Sequence, residues 1–358
     1  MVARRSLAMS EALALVAPGE ALRDGLDRIL QARRGALVII GDEPPVLRVC
    51  TGGFLLDAEL TPQRLAELAK MDGAVILSRD ACRIARANVQ LMPSASVTTT
   101  ETGTRHRTAE RVARSLDVTA ISVSQAMSTV AVYRGTEKKV LQPVPTLISR
   151  TNEALQTLER FKHRLDEVSG ALTEAEIGDM VTVRNVVDVL QRVEMVLYIA
   201  EEVRDHLVEL GGGGRLLRLQ LNELVEGVPE DRLLLLKDYL RPRNGVSCES
   251  AVRDLERLSV EELMDLRKLA NMLGLMSDPS GLDMNLEPKG YRLLARIPRF
   301  PDHVVERVVS QFGTLHGIMR ATIGELEKVD GVGESRARLI KDGLSRMAEA
   351  SILDRFSS

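Results

Sequence analysis

At residues 71–77 the chain reads Met71-Asp72-Gly73-Ala74-Val75-Ile76-Leu77, an Asp-Gly turn that runs directly into an apolar segment. A short apolar run after a turn is typical of a strand that is buried on both faces. Asp72 then stands at the mouth of the strand, and Gly73 lets a ligand approach the backbone closely. Because Asp-Gly pairs are also common in plain tight turns, this segment alone leaves both a structural and a ligand-binding interpretation open.

Around this segment, short β-branched runs alternate with amphipathic stretches. The pattern predicts an α/β domain around a mixed central sheet over residues 1–142. The predicted strands are Gly35–Ile40, Val46–Thr51, Ala74–Leu77, Val118–Val123 and Thr129–Tyr133. The predicted helices are Ser10–Arg33, Thr61–Lys70 and Thr104–Leu116.

Beyond Pro143 and Pro145 the periodicity becomes helical, and residues 143–288 are predicted to form an all-α helical spine. Two capping boxes, Thr173 with Glu176 and Ser259 with Glu262, predict the starts of further helices. The apolar spacings of three and four that carry the prediction are those of Leu155, Leu158, Phe161, Leu165 and Val168.

Composition narrows the class of protein. The 358 residues include 48 Lys plus Arg and 51 Asp plus Glu, with basic ends and an acidic middle. Three scattered cysteines at no metal-ligand spacing favour reduced thiols in the cytoplasm. No apolar run approaches the roughly 20 residues that span a bilayer, so we expect no membrane association. With 3% aromatic residues and no Trp, nucleic-acid binding by base stacking is disfavoured.

A second unusual segment reads Glu101-Thr102-Gly103-Thr104-Arg105-His106-Arg107-Thr108-Ala109-Glu110-Arg111. Apolar spacing predicts that a helix begins near Thr104, with the Arg-His-Arg triplet in its first turn. Positive side chains there oppose the helix dipole at a cost of a few tenths to about 1 kcal/mol each. A triphosphate bound to the free amides and guanidinium groups offsets that cost. A merely solvated basic turn is the alternative.

Together the two segments resemble the paired motifs of diadenylate cyclase domains. The Asp72-Gly73-Ala74 turn is followed, about thirty residues later, by Gly103-Thr104-Arg105-His106-Arg107-Thr108-Ala109. The whole-chain layout, with its helical middle and basic C-terminal segment, is similar to that of the DNA integrity scanning family of bacterial diadenylate cyclases.

The resemblance implies condensation of two ATP molecules into cyclic di-AMP with release of two pyrophosphates. It implies that Asp72 is catalytic, because it holds a divalent metal, Mg²⁺ or Mn²⁺, and helps activate the ribose 3′-hydroxyl. It also implies self-association in head-to-head cyclase dimers, one ATP per protomer, within a homo-octamer. The ATP-binding residues that it implies are Gly73, Ala74, Leu91 in the adenine-pocket loop, Thr104, Arg105, His106 as a phosphate donor rather than a general base, Arg107, Thr108, and Ser124 near the phosphates.

The C-terminal segment 326–340 fits a helix-hairpin-helix pattern around Gly331-Val332-Gly333. Such a hairpin presents backbone amides to DNA phosphates and reads no sequence. A degraded copy lies thirty-two residues earlier, around Arg299-Phe300-Pro301, and lacks both glycines. Residues 289–358 are therefore predicted to form a tandem helix-hairpin-helix domain, and the resemblance suggests branched DNA as its target. The candidate DNA-binding residues are Lys328, Gly331, Val332, Gly333, Arg336, Arg338 and Lys341.

A different function fits the same features: a non-catalytic, ATP-sensing, DNA-binding scaffold. Asp72 distinguishes the two, because a pure sensor has no need of a metal-binding carboxylate beside the ribose.

Overall fold

The structure, a computed structural model, describes residues 6–241, 247–276, 281–298 and 300–357. Arg299 of the predicted first hairpin lies outside these residues. The chain divides into two compact units. The first contains the residues up to Ala154 together with Glu202–Gln220, and the second contains Leu155–Glu201 together with the residues from Leu221 onward.

An eight-stranded mixed sheet forms the centre of the first unit, within the described part of the chain. Its order is β2-β5-β4-β1-β6-β7-β8, and β3 also pairs with β5. Strands β1 and β4 are parallel, and the other pairs are antiparallel. The predicted α/β domain with a mixed central sheet is thus confirmed. The strands are β1 Ala36–Ile40, β2 Cys50–Thr51, β3 Phe54–Glu59, β4 Ala74–Leu77, β5 Arg83–Leu91, β6 Thr119–Ser124, β7 Thr129–Arg134 and β8 Glu137–Val140.

Helices cover both faces of this sheet, which explains why its central parallel strands, β1 and β4, are apolar throughout. Val38 and Ile40 of β1 join a core cluster with the first helices, whereas Leu37 and Ile39 join a cluster beneath the fifth. The alternation follows from the two-residue period of a strand. The helices of this part of the chain are α1 Leu7–Ala14, α2 Ala21–Gln31, α3 Pro44–Arg48, α4 Pro62–Leu68 and α5 Thr104–Leu116.

Two of the predicted elements in this unit are wrong. The predicted helix Ser10–Arg33 is two helices, because Pro18 and Gly19, with φ +94° at the glycine, interrupt it. The predicted strand Val46–Thr51 begins instead as helix α3, since proline at the first helical turn is pre-organised for a helix. Of the residues in the predicted strand, only Cys50 and Thr51 pair with β5.

The remaining elements are helical, so the helical region predicted after the sheet is confirmed. Helices α6 and α7 contribute residues to both units. The bounds are α6 Val144–Ile177, α7 Val183–Leu210, α8 Arg215–Val225, α9 Val228–Tyr239, α10 Cys248–Leu255, α11 Val260–Leu263, α12 Leu266–Met272, α13 Tyr291–Ala295, α14 Asp302–Phe312, α15 Leu315–Arg320, α16 Ile323–Leu326 and α17 Glu334–Ser357.

Of the two predicted capping boxes, one is present. Ser259 and Glu262 form a capping box at the start of α11. The box predicted at Thr173 and Glu176 is wrong, because both residues lie inside the continuous helix α6. The Thr173 hydroxyl donates a hydrogen bond to the Ser169 carbonyl at 3.0 Å, an ordinary arrangement for threonine within a helix.

In the C-terminal part of the second unit, apolar residues of α13, α14, α15, α16 and α17 share one core cluster. Both predicted repeats contribute to it, with Leu294, Ile297, Phe300, Val305 and Val308 from the first and Leu326, Val329, Val332, Ala337 and Ile340 from the second. The five helices α13–α17 therefore pack around a single apolar centre.

Over the ranges that the structure describes, no helix combines the length and the apolar character that crossing a membrane requires.

Candidate active site

The sheet topology brings the predicted nucleotide-binding residues to one edge of the first unit. Strands β1 and β4 start at this edge, whereas β5 and β6, which run antiparallel to them, end there. Asp72 and Gly73 immediately precede β4, Leu91 ends β5, and Ser124 ends β6. We call this the sheet-edge site.

Helix α5 begins at the same edge. The Arg105 guanidinium lies against Gly35 at the start of β1, where an added Cβ would be 2.9 Å from Arg105 Nη1 and 3.2 Å from the Val123 carbonyl oxygen. Arg105 Nη2 is 3.7 Å from Asp72 Oδ1. The Asp72 carboxylate is fully exposed, so solvent screens this pair and leaves both groups open to a ligand.

Gly73 has a structural reason to be glycine in addition to the predicted one. Its φ is +94°, and a Cβ there would approach the Asn88 carbonyl carbon and the Val89 carbonyl oxygen to 2.9 Å. The backbone of β5 thus passes too close for any side chain. Ala74 is buried and pairs with both β1 and β5, so the sheet determines its position.

The start of α5 carries no side-chain cap. Its N-cap residue is Gly103, with φ +85°, and its first turn contains no acidic residue. Helix geometry leaves the amides of Thr104, Arg105 and His106 without intrahelical acceptors. An uncapped helix N-terminus flanked by guanidinium groups is suited to binding an anion.

The His106 imidazole faces a different environment from that of its arginine neighbours. The residue is 8% exposed, and Nδ1 lies 3.2 Å from the Ser122 hydroxyl of β6. Nε2 is buried without a hydrogen-bond partner among the described residues. Burial lowers the pKa of His106, which keeps the ring neutral near pH 7. The imidazole therefore belongs to the interface between α5 and the sheet.

Leu91 and Ser124 are held at the edge by strand pairing and by a turn. Leu91 is 9% exposed and pairs with Cys50 of β2, while Met92 just beyond it is 61% exposed. The Ser124 hydroxyl accepts a hydrogen bond from the Met127 amide at 3.2 Å.

Sequence reasoning missed the residues that hold the loop before α5. Glu101 forms an ion pair with Lys138 of β8 at 2.5 Å. Glu110, which is 7% exposed, accepts hydrogen bonds from the Thr99 hydroxyl and from the Thr100 amide. The Glu101–Lys138 pair could not be predicted from the sequence, because β8, which carries Lys138, was not among the predicted strands.

The carboxylates present fit a cation that arrives with its substrate. Within the described ranges, no cluster of three His, Cys, Asp or Glu side chains could hold a metal ion unaided. Magnesium ions in nucleotide sites are typically held by one or two carboxylates together with phosphate oxygens and waters. A single exposed carboxylate, that of Asp72, meets this requirement.

At the C-terminal turn before α17, the predicted DNA-binding residues differ in their surroundings. Lys328, Gly331 and Gly333 are exposed, whereas Val332 is buried in the core. Three of the cations already have partners: Arg336 donates to the Gly331 carbonyl, Arg338 pairs with Glu334, and Lys341 donates to the Met319 carbonyl.

Comparison with known proteins matches both the sheet domain and the helices that follow it. Residues 23–138 match the family described as DisA bacterial checkpoint controller nucleotide-binding, and residues 141–281 match the DisA bacterial checkpoint controller linker region. A solved structure, DacA from Staphylococcus aureus, is 22% identical over 36% of this chain and 86% of its own, with a TM-score of 0.29.

Whole-chain relatives are closer in sequence. The DNA integrity scanning protein DisA of Kineococcus radiotolerans is 52% identical over 349 residues, which is 97% of each chain. Its namesake from Streptomyces griseus is 49% identical over 351 residues, covering 97% of this chain and 94% of the relative. The chain therefore belongs to the family of DNA integrity scanning proteins DisA, and it is a diadenylate cyclase, a nucleotidyltransferase.

Proposed function

We propose that the sheet-edge site binds one ATP per protomer and that two facing protomers condense their ATP molecules into cyclic di-AMP. We further propose that the C-terminal helices bind the backbone of DNA, including branched DNA, without reading its sequence. The observation that carries the first proposal is the meeting of the exposed Asp72 carboxylate, the Arg105 guanidinium and the uncapped start of α5 at one sheet edge.

In this proposal the first turn of α5 binds the triphosphate. The amides of Thr104, Arg105 and His106 donate to phosphate oxygens, and the Arg105 and Arg107 guanidinium groups neutralise their charge. Thr108 and Ser124 add hydroxyl groups beside the phosphates. The backbone at Gly73 and Ala74 and the side chain of Leu91 line the nucleoside. These roles follow from the resemblance and agree with the positions of the residues.

Asp72 holds the divalent cation, Mg²⁺ or Mn²⁺, which supplies positive charge to the phosphates and to the attacking oxygen when bound. Each 3′-oxygen forms a bond to the α-phosphorus of the facing nucleotide, and each α–β phosphoanhydride bond breaks. Two pyrophosphates and two protons leave. Because the described residues of one chain form one such edge, both bonds require a second chain, which supports head-to-head dimers. The resemblance implies that these dimers belong to a homo-octamer.

For DNA binding, we propose that residues 289–358 act as a tandem helix-hairpin-helix domain, joined by the spine of residues 143–288 to the cyclase domain of residues 1–142. The exposed turn from Lys328 to Gly333, ahead of the α17 N-terminus, supports contact with phosphate. Arg336, Arg338 and Lys341 lie on α17 within the next two turns. The degraded first hairpin is the weaker candidate.

Two assays test these proposals. Incubation of the purified chain with ATP and Mg²⁺ or Mn²⁺ should yield cyclic di-AMP, whereas an ATP-sensing scaffold would yield none. DNA affinity, measured by fluorescence anisotropy on duplex and branched probes, should fall steeply with salt, and Lys328→Gln should reduce the slope by about one. Equal salt slopes for Lys328→Gln and the unchanged protein would remove Lys328 from the DNA site.

A further inference from the structure

We propose that the ion pair between Glu101 and Lys138 is a positioning device that fixes the first turn of α5 against the sheet. The inference rests on the proposed ATP site, because it is that turn which binds the triphosphate. Neither residue touches the proposed substrate, so both act through the helix.

The pair joins the loop to the sheet just before the helix begins. Glu101 precedes the N-cap residue Gly103 by two positions, and its side chain is 14% exposed. Its Oε1 atom lies 2.5 Å from Lys138 Nζ. Lys138 belongs to β8 and pairs with Tyr133 of β7, so the ammonium group is anchored to the sheet. The ion pair is therefore a direct tie between the start of α5 and the sheet.

The rest of that loop is bound to α5 itself. Glu110 accepts hydrogen bonds from the Thr99 hydroxyl and the Thr100 amide. Arg111 Nε donates to the Val97 carbonyl at 3.0 Å, and Arg114 Nη1 donates to the Thr98 carbonyl at 2.9 Å. Hydrogen bonds thus hold residues 97–100 against α5, and Glu101 connects this segment to β8.

Two further contacts orient the same turn, and neither duplicates the ion pair. The His106 ring meets Ser122 beneath the helix, and Arg105 lies over Gly35. Both act from within the turn, on the side that faces β1 and β6. Only Glu101 among these residues constrains the chain where it enters the helix, and it does so from the side of β8.

Glu101 is ionised, and Lys138 supplies the positive charge that balances it. Burial alone would raise the pKa of Glu101, but the hydrogen bond and charge of Lys138, together with smaller contributions from Tyr133 and His106, outweigh it and hold the pKa below its usual range. The carboxylate is thus ionised, and Lys138 neutralises it near the proposed phosphates. Lys138 also lies 5.8 Å from the centre of the Tyr133 ring. Loss of Lys138 would leave a partly buried negative charge next to the triphosphate site.

A double-mutant cycle on the full chain tests this role. The variants are Glu101→Gln, Lys138→Met and the two combined, with Glu137→Gln on the same strand as the matched control. Because a displaced turn presents its amides and guanidinium groups to the phosphates in poorer geometry, and loss of one charge-assisted hydrogen bond costs on the order of tenfold in affinity, we expect each single variant to raise KM for ATP about tenfold with a smaller change in kcat. The double variant should lose no more than the worse single one, because the pair acts as a unit.

Measurements of unfolding and of KM distinguish a positioning role from a merely structural one. Thermal unfolding of Glu101→Gln should match that of Glu137→Gln, and Lys138→Arg should retain KM because it keeps the ion pair. KM within twofold of the unchanged protein in folded Glu101→Gln, or effects that multiply in the double variant, would overturn the proposal. Arg105→Ala serves as the reference. If this variant binds ATP as tightly as the unchanged protein, the proposed ATP site is wrong. If it binds ATP more weakly while Glu101→Gln is unaffected, only the positioning role is wrong.

Discussion

The sheet-edge site and the C-terminal turn are both organised around a helix N-terminus, yet the chain assembles them differently. The sheet-edge site collects Asp72, Leu91, Arg105 and Ser124 from four elements through strand pairing. The C-terminal turn draws its exposed groups from a few consecutive residues ahead of α17. The geometry of the sheet-edge site depends on the whole sheet, so the positions of its side chains are closely fixed. The geometry of the C-terminal turn depends on local structure alone.

The first turns of α5 and α17 also differ in charge. The first turn of α5 contains no acidic residue and two arginines, whereas the first turn of α17 contains Glu334. A carboxylate at a helix N-terminus stabilises the helix but repels an approaching anion. We therefore expect tight, geometry-dependent binding of triphosphate at α5 and weaker, salt-dependent contact with DNA phosphates at α17.

Substitution of Asp72 separates a loss of chemistry from a loss of folding at the sheet edge. Asp72→Asn keeps the turn and removes the charge of a fully exposed side chain, so folding should be unaffected. Product formation should fall on the order of 10²- to 10³-fold, as when other charge-stabilising groups are removed from active sites. ATP affinity should change little. Kinetics and calorimetry on the same preparation measure both, and near-normal turnover would contradict the assignment.

An aspartate in the second unit provides the opposite case, since Asp238 is 2% exposed and serves structure. Its carboxylate accepts hydrogen bonds from the amides of Gly290, Tyr291 and Arg292 at 2.7 to 2.8 Å. Next to it, the buried Glu176 pairs with Arg292 at 2.7 Å. Deleting the chain from Pro288 onward would remove the three amides that bind Asp238 and the Arg292 guanidinium that binds Glu176. Point substitutions therefore test the DNA region more cleanly.

Asp238 should make stability depend on pH in a defined direction. Burial first, and then the charge of Glu176, raise its pKa to about 6 from the ordinary 3.8. Below the pKa of Asp238 in the unfolded chain, the carboxyl is protonated in both states. As the pH rises to about 6, the carboxyl ionises in the unfolded chain but stays largely protonated in the folded one. Stability should therefore fall with rising pH, by about 3 kcal/mol at 1.36 kcal/mol per pKa unit.

Denaturant unfolding of the unchanged protein and of Asp238→Asn between pH 4 and 7 measures this contribution. The difference between the two should change across that window, because the amide does not titrate. Parallel pH profiles would show that Asp238 is ionised to the same extent in both states.

Smaller effects are expected at the two glycines of the C-terminal turn. Gly331 has φ +86°, and a Cβ there would lie 3.3 Å from Arg307 Nη1, so Gly331→Ala should destabilise the protein by roughly 1–2 kcal/mol. Gly333 has open space around it and serves as the matched control for folding. Gly333→Ala should leave stability unchanged and lower DNA affinity several-fold by hindering backbone approach. Unchanged DNA affinity in both variants would place the contact elsewhere.

The sequence predicted the parts of the fold that apolar periodicity controls. Strand β4 and helix α5 match their predicted bounds, because an uninterrupted apolar run and an i, i+3, i+4 pattern define them. Strands β3, β5 and β8 were missed, since charged residues interrupt their apolar pattern and their partners are distant in sequence. A register irregularity near Asn88, with φ +55°, further disguises β5.

The same distinction holds within the site. Asp72 and Arg105 were predictable because their motifs combine unusual residues over short spans. The Glu101–Lys138 pair was not, because it exists only once β8 has paired with β7. For His106, sequence placed the residue in the first turn of α5, while the direction of its ring follows from tertiary packing against Ser122.

Two facing sheet-edge sites should each form one of the two phosphodiester bonds, and assemblies that mix two kinds of subunit distinguish this mechanism from catalysis within a single subunit. Unchanged and Asp72→Asn subunits are combined, subunit exchange is verified, and the nucleotide products are separated by chromatography. Mixed pairs should form the first bond and stall, so that the linear, still triphosphorylated dinucleotide accumulates at the expense of cyclic di-AMP. If activity instead falls in proportion to the mutant fraction and no linear product appears, each subunit completes both bonds alone and the facing-site account is wrong.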